Sequence, residues 1–331
     1  MEENGVCISA AGLIIGKIKT TPGNSIKIDN TDYESALEGF ELRHVDRISR
    51  LVIGAASLAL KNRGLHVEKG SSNDYGIFWG TKYGAIESIH SFDMVAVEKG
   101  AAFVNPGLFP STVLNSPACQ VSIQLSVAGP IHTVCNGHTS ALDAVGLGYN
   151  YVKSGLASMI MAGGADEISE LQTLMHENDH QIGEASGILL LEKSNAVPEA
   201  RSIVEIAGYG STSLLSDSLA EIRLKIVELI TNILDAQRIP SHAIECMRFS
   251  TYLPSKEGRE MADGVCRDLK YEIPIEYMET DWMGASGIVQ IASALNFWEE
   301  TFKEIAAQII VGVDNDKVSV LVLVTNSGLT I

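Results

Sequence analysis

Apolar residues along the chain fall into two alternating patterns. Short, nearly continuous apolar runs predict strands at Gly5–Ala10, Gly76–Gly80, His132–Asn136, Ser158–Gly163, Gly187–Glu192, Ile203–Gly208, Pro274–Met278, Gln308–Val313 and Val318–Val324. Continuity rather than strict alternation is what strands covered on both faces require. Between the runs, helical patterning predicts helices over Asp46–Asn62, Ser140–Ser154, Ser218–Ala236 and Gly287–Lys303. Strand–helix alternation predicts a layered α/β fold.

The pattern weakly repeats. An apolar strand leads into a turn of small residues and then a helix at Thr133–Tyr149, and again at Ile275–Phe297. No linker or low-complexity stretch divides the chain, so the repeat suggests two similar halves, 1–195 and 196–331. A length of 331 residues fits two fused units better than one core.

Composition narrows the class. Hydrophobic residues, at 46%, supply a large core and exclude disorder. A net charge of −17 argues against a nucleic-acid surface, which needs a basic face, and against docking on anionic membranes. Five cysteines, at 7, 119, 135, 246 and 266, form no CxxC pair, so neither a disulfide framework nor a zinc knuckle is expected. The start is acidic (Glu2, Glu3), so no signal peptide is expected, and no apolar run reaches the ~18 residues that span a bilayer. These readings place the chain in a reducing cytoplasm.

The most informative segment is Gly129-Pro130-Ile131-His132-Thr133-Val134-Cys135-Asn136-Gly137-His138-Thr139-Ser140-Ala141-Leu142. It reads as a strand, a sharp turn and a helix with Ala141, Val145, Gly148 and Val152 on one face. Such an elbow sets the turn residue at a helix N-terminus, where unpaired N–H groups favour an anion. A cysteine there would be acidified into a good acyl acceptor.

Elbow and surroundings together resemble the β-ketoacyl synthases. That family carries a Gly-Pro, a strand, a Thr-Ala-Cys elbow, a helix and a strand ending in Ala-Gly-Gly. Here Gly129-Pro130, the elbow and Ala162-Gly163-Gly164-Ala165-Asp166 follow in that order without a gap, and the family's cysteine falls on His138. Further similar segments are Asp46–Leu65, Gly80–Glu87, Asn115–Ile123 and Ala207–Thr212, so the resemblance covers nearly the whole chain. It implies a thiolase-like five-layered αβαβα fold of two pseudo-symmetric halves, with two mixed sheets around buried helices. It also implies that the strand His132–Asn136 pairs across a dimer axis, and it calls for no cofactor and no metal.

The family's chemistry does not carry over. Condensation needs a thiolate and two histidines that stabilise a developing oxyanion. The region of the first histidine reads Arg248-Phe249-Ser250-Thr251-Tyr252, with Ser250 near the lost position. In the motif of the second, Asp281 stands where the histidine would be and Glu276 where a lysine would be. A carboxylate repels a developing enolate. The family's C-terminal glycine-rich loop shrinks to Asp314-Asn315-Asp316-Lys317, and its long insertion after Asp166 is missing. Joint loss of these parts resembles the chain-length-factor subunits of type II polyketide and polyene synthases, although those often have glutamine at the elbow and are longer.

That likeness implies a non-catalytic subunit paired with an active ketosynthase, in polyketide or fatty-acid-like synthesis. Such a subunit meets acyl carrier protein only indirectly, through its partner. Phe109, Thr112 and Val113 would then be tunnel-limiting side chains, and the acidic charge would steer an acidic carrier toward the partner.

The alternative is a stand-alone malonyl-carrier decarboxylase or acyl hydrolase using His138 as base or nucleophile. Against it stands a simpler role for His138, filling the vacated pocket. Cys135 is expected to be a buried small hydrophobe. His176-Glu177-Asn178-Asp179-His180 spells the zinc-peptidase motif HExxH, but Asn178 and Asp179 are weak helix formers, and a polar loop is expected instead. Gly208-Tyr209-Gly210 lacks the lysine and helix of a phosphate loop. Glu279 and Asp281 could form an acid pair, although a carboxylate capping the following helix is the plainer expectation.

Overall fold

The computed structural model describes residues 5–17, 25–66, 74–175, 181–197, 203–216, 218–301 and 306–326. In chain order the strands are β1 (Val6–Ile15), β2 (Ser25–Ile26), β3 (Tyr75–Gly80), β4 (Ile131–Val134), β5 (Met159–Asp166), β6 (Ile182–Gly183), β7 (Ala185–Lys193), β8 (Ile203–Ser213), β9 (Ile244–Thr251), β10 (Ile275–Tyr277), β11 (Ala307–Asp314) and β12 (Lys317–Asn326). The helices are α1 (Arg47–Arg63), α2 (Ile86–Lys99), α3 (Ser116–Leu125), α4 (Ser140–Lys153), α5 (Glu170–Met175), α6 (Leu219–Ala236), α7 (Ser255–Leu269) and α8 (Ser286–Glu300).

Ten strands form one sheet in the order β10-β9-β11-β12-β8-β1-β7-β5-β3-β4, while β2 and β6 pair separately. Read outward from the middle, β1-β7-β5-β3-β4 and β8-β12-β11-β9-β10 are joined in the same senses: antiparallel, antiparallel, parallel, parallel. The halves are therefore pseudo-symmetric. The expected two sheets are stitched into one, because β1 and β8 pair at Cys7↔Glu205 and Ile8↔Val204.

Three apolar cores define five layers. One lies between α1 and α3 on the outside and the N-terminal half-sheet, with Leu51, Ile53, Trp79 and Val121. The central core surrounds α4 and α8, with Leu142, Val145, Leu189, Ile288, Ile291 and Leu321. The third joins α6 and α7 to the C-terminal half-sheet through Ile222, Ile226, Ile230, Val265 and Phe249. Sequence explains these placements locally. Helix α1 starts at Asp46, whose carboxylate accepts from Ser49 N at 2.8 Å, and ends at Gly64 in the left-handed region, φ 76°. Strands β5 and β7 are buried along almost their whole lengths, hence their continuous apolar sequences.

Strands β2, β6 and β9 and helices α2, α3, α5 and α7 were not expected from the patterning. In β9 the buried Arg248 interrupts the apolar run. Helix α7 carries its buried Met261, Ala262, Val265 and Leu269 among charged residues. Tyr209, weighed above as part of a phosphate loop, lies inside β8. Among the described residues no helix is long and apolar enough to cross a membrane.

The repeat is most exact at two elbows. After β4, a 3-10 turn at Gly137–Thr139 leads into α4; after β10, a 3-10 turn at Met283–Ala285 leads into α8. Ser140 Oγ donates to the Gly137 carbonyl at 2.7 Å, and Ser286 Oγ to the Met283 carbonyl at 2.8 Å. Gly137 (φ 60°) and Met283 (φ 54°) both adopt the left-handed conformation that begins the turn. For the buried Met283 this costs on the order of 1 kcal/mol, offset by its packing.

Candidate functional site

The two elbows meet in the central layer, and His138 lies between them. Its side chain is only 5% exposed. Nε2 is 3.0 Å from Asp281 Oδ1, and Nδ1 is 2.9 Å from Asp314 Oδ2. The same Asp314 oxygen accepts the His138 backbone N–H at 2.6 Å. Asp281 also caps its own elbow by accepting from Met283 N at 2.7 Å. Asp314 opens the tight β11–β12 hairpin that replaces the family's glycine-rich loop. Only glycine fits at position 137, where a Cβ would fall on the Asp314 carboxylate.

The electrostatics follow from this geometry. Burial alone would pull the His138 pKa down. The charge and hydrogen bond of Asp281, and then the hydrogen bond of Asp314, outweigh burial and the nearby Lys82, lifting it from 6.5 to about 9. The Asp314 carboxyl is pushed up by burial, but its bonds to His138 hold it below the ordinary carboxylate value. At neutral pH the ring is therefore an imidazolium donating from both nitrogens. It has no lone pair for nucleophilic attack or for taking a proton.

Other buried carboxylates brace the elbows. Asp166 accepts from Thr81 Oγ1, Lys82 N, Tyr83 N and Gly284 N, all within 2.7–3.0 Å, tying the turn after β3 to the second elbow. Asp143, on α4, accepts from Asn136 Nδ2 (2.7 Å), Thr139 Oγ1 (3.0 Å), Tyr209 OH (2.8 Å) and Ser319 Oγ, and pairs with Lys317 at 3.0 Å. Gly80 lets α4 approach, because a Cβ there would collide with the Ser140 backbone.

The space left at the site is small. A cavity of about 20 Å³ is bordered by His138, Ser250, Thr251, Tyr277, Thr280 and Asp281, among others. That is room for about one water molecule. Ser250 is buried, and its Oγ donates to Gln290 Oε1 at 3.2 Å. Glu279 is half exposed and pairs with Arg259, whereas Asp281 holds His138 and the Met283 amide. Glu276, where the family's lysine would stand, pairs with Arg248.

Two expectations need correction or fall elsewhere. Cys135 is exposed rather than buried, because it follows β4 at the sheet edge; its Sγ lies 3.4 Å from the Lys82 carbonyl. The HExxH segment, 176–180, lies outside the described residues. Among the described residues no group of three or more His, Cys, Asp or Glu side chains could hold a metal ion. Phe109 is exposed and Thr112 and Val113 are partly buried on the stretch between α2 and α3, and none of them lines the cavity at His138. The role of Asp314 was missed. The shortened hairpin was legible in the sequence, but not that it carries this residue to the elbow.

Comparison with known proteins agrees with the fold. The family profile "Beta-ketoacyl synthase, N-terminal domain" matches residues 9–193, more than half of the sequence. The chain belongs to the β-ketoacyl synthase family. It is 24% identical over 211 residues to 3-oxoacyl-[acyl-carrier-protein] synthase 2 of Staphylococcus aureus, covering 56% of this chain and 52% of that protein. It is 25% identical over 205 residues to the enzyme of the same name from Vibrio cholerae, covering 54% and 50%. The chain thus spans about half the length of the curated relatives it matches.

Solved structures show the same thiolase-like fold. The ishigamide ketosynthase/chain length factor superposes with a TM-score of 0.77 at 19% identity, covering 98% of this chain and all of that one. A chain of AntDE:AntF, a type II polyketide acyl-carrier protein in complex with its ketosynthase bound to the hexaketide, gives 0.79 at 17% identity, with 97% and 99% covered.

Proposed function

We infer that this chain is a non-catalytic, ketosynthase-like subunit. It pairs with an active β-ketoacyl-carrier-protein synthase in polyketide or fatty-acid-like synthesis and helps shape that partner's acyl tunnel. The halves of the subunit divide near 195/196. The observation that carries the reading is the plugged elbow. Where the family resemblance puts the nucleophile, a buried imidazolium is held by two carboxylates beside a cavity of about 20 Å³. Neither an acyl chain nor its thioester fits there.

A second observation concerns the partner. From Ile86 to Leu114 no residue is buried, although the segment is rich in apolar side chains. Phe103 is 71% exposed and Phe109 57%. The segment leads into α3, which packs against β4, the strand at the end of the sheet. Large apolar faces of this kind mark protein–protein contact. A partner of like fold seated there would bury Phe109, Thr112 and Val113 and bring them to its own tunnel.

The alternative, a decarboxylase or hydrolase using His138, loses support from the occupied ring nitrogens. The test is direct: the purified chain, given acyl and malonyl carrier proteins, forms no β-ketoacyl product and releases no carbon dioxide. Condensation by the chain alone would overturn the reading, and carbon dioxide release abolished by His138→Ala would favour the alternative.

A further inference from the structure

Arg248 is a charged side chain in the middle of β9, only 2% exposed, where an aliphatic residue would pack without cost. Its Nε donates to Gln308 Oε1 at 2.7 Å, and its Nη1 to Ser293 Oγ at 2.7 Å and to Glu276. Its Nη2 has no hydrogen-bond partner among the described residues and is not shut in by protein atoms. Arg248 borders a pocket of about 230 Å³ walled by Trp282, Met278, Val289, Thr280 and Ser293. This pocket adjoins the cavity at His138, sharing Met278, Glu279 and Thr280 as a common wall, but His138, Ser250 and Asp281 do not line it.

We propose that this pocket binds a small, uncharged hydrogen-bond acceptor, an amide or a ketone, through the free Nη2 of Arg248. The volume falls below the ~300–1,000 Å³ of drug-sized sites, so the ligand is small. Trp282 and Val289 provide an apolar wall for its body. Charge sets the class. Arg248 is already neutralised by Glu276, and Glu279, at the rim, is neutralised by Arg259. An anion would add charge beside two carboxylates, and a cation would meet the guanidinium. A carbonyl oxygen takes the remaining donor hydrogens without either cost. The site needs no assumption about partner or catalysis, so it stands or falls apart from the function proposed above.

Benzamide and benzoate, alike in shape and different in charge, are the probes. Titrated into the whole chain and followed by the Trp282 indole NMR signal, benzamide saturates in the millimolar range and benzoate binds at least about tenfold more weakly. Arg248→Met abolishes the benzamide response. Should that variant fold poorly, Val289→Phe, which fills the pocket and keeps Arg248, does the same. Absence of saturable benzamide binding, binding that survives pocket filling, or tighter binding of benzoate would each overturn the proposal.

Discussion

Replacing His138 with alanine removes the cation from between Asp281 and Asp314. Raising a pKa from 6.5 to about 9 corresponds to roughly 3 kcal/mol of stabilisation, at about 1.4 kcal/mol per unit. Because the folded value lies above the unfolded one, this contribution is fully present below pH 6.5 and is lost as pH rises through about 9. Alanine also leaves a void, but the cost of that void does not depend on pH. The two effects therefore separate when wild type and His138→Ala are unfolded in urea at about pH 6 and about pH 10. The gap between them shrinks by roughly 3 kcal/mol at the higher pH. An equal gap at both pH values would refute the buried imidazolium, and with it the argument that the elbow cannot act as base or nucleophile.

Other outcomes follow from the same geometry. Gly137→Ala forces a Cβ onto Asp314 at φ 60° and destabilises the chain by about 2–4 kcal/mol in urea unfolding. Asp143→Ala leaves Tyr209, Ser319 and Lys317 without their shared acceptor and costs about 3–5 kcal/mol by the same assay, with loss of helix α4's tie to β8 and β12. Acidification protonates Asp314, whose folded pKa is depressed; its contribution, present above its unfolded value, disappears as pH falls, and an Asp314→Asn chain shows a flatter acid limb in circular dichroism. Phe109→Asp changes the stability of the isolated chain by less than about 0.5 kcal/mol and weakens a partner complex about tenfold or more in a titration by native mass.

Much of the scaffold was legible in the sequence because buried parallel strands must be apolar and elbows need small residues. The weak likeness between Thr133–Tyr149 and Ile275–Phe297 corresponds to the two elbows and their helices, α4 and α8. Polar residues hid the rest. Arg248 breaks the pattern of β9 because its charge is satisfied by Glu276, a residue on the neighbouring strand that local patterning does not connect to it. Helix α2 was obscure for the opposite reason: its apolar residues do not face a core of this chain, so they form no ordinary amphipathic stripe. At the site, the departure of His138 and Asp281 from the family's motifs was legible, but their ion pair was not. Nor was the second carboxylate, since Asp314 is brought to the elbow by the length of a hairpin and not by any motif.

The central claim is that the chain serves an active ketosynthase, and native mass tests it most directly. The tagged chain is co-expressed with the ketosynthase encoded nearest to it, one that keeps its cysteine and both histidines. A stable one-to-one complex, with condensation that disappears when the partner's cysteine is replaced, is the predicted result. A homodimer that ignores the ketosynthase, or condensation that persists without the partner's cysteine, would contradict the account.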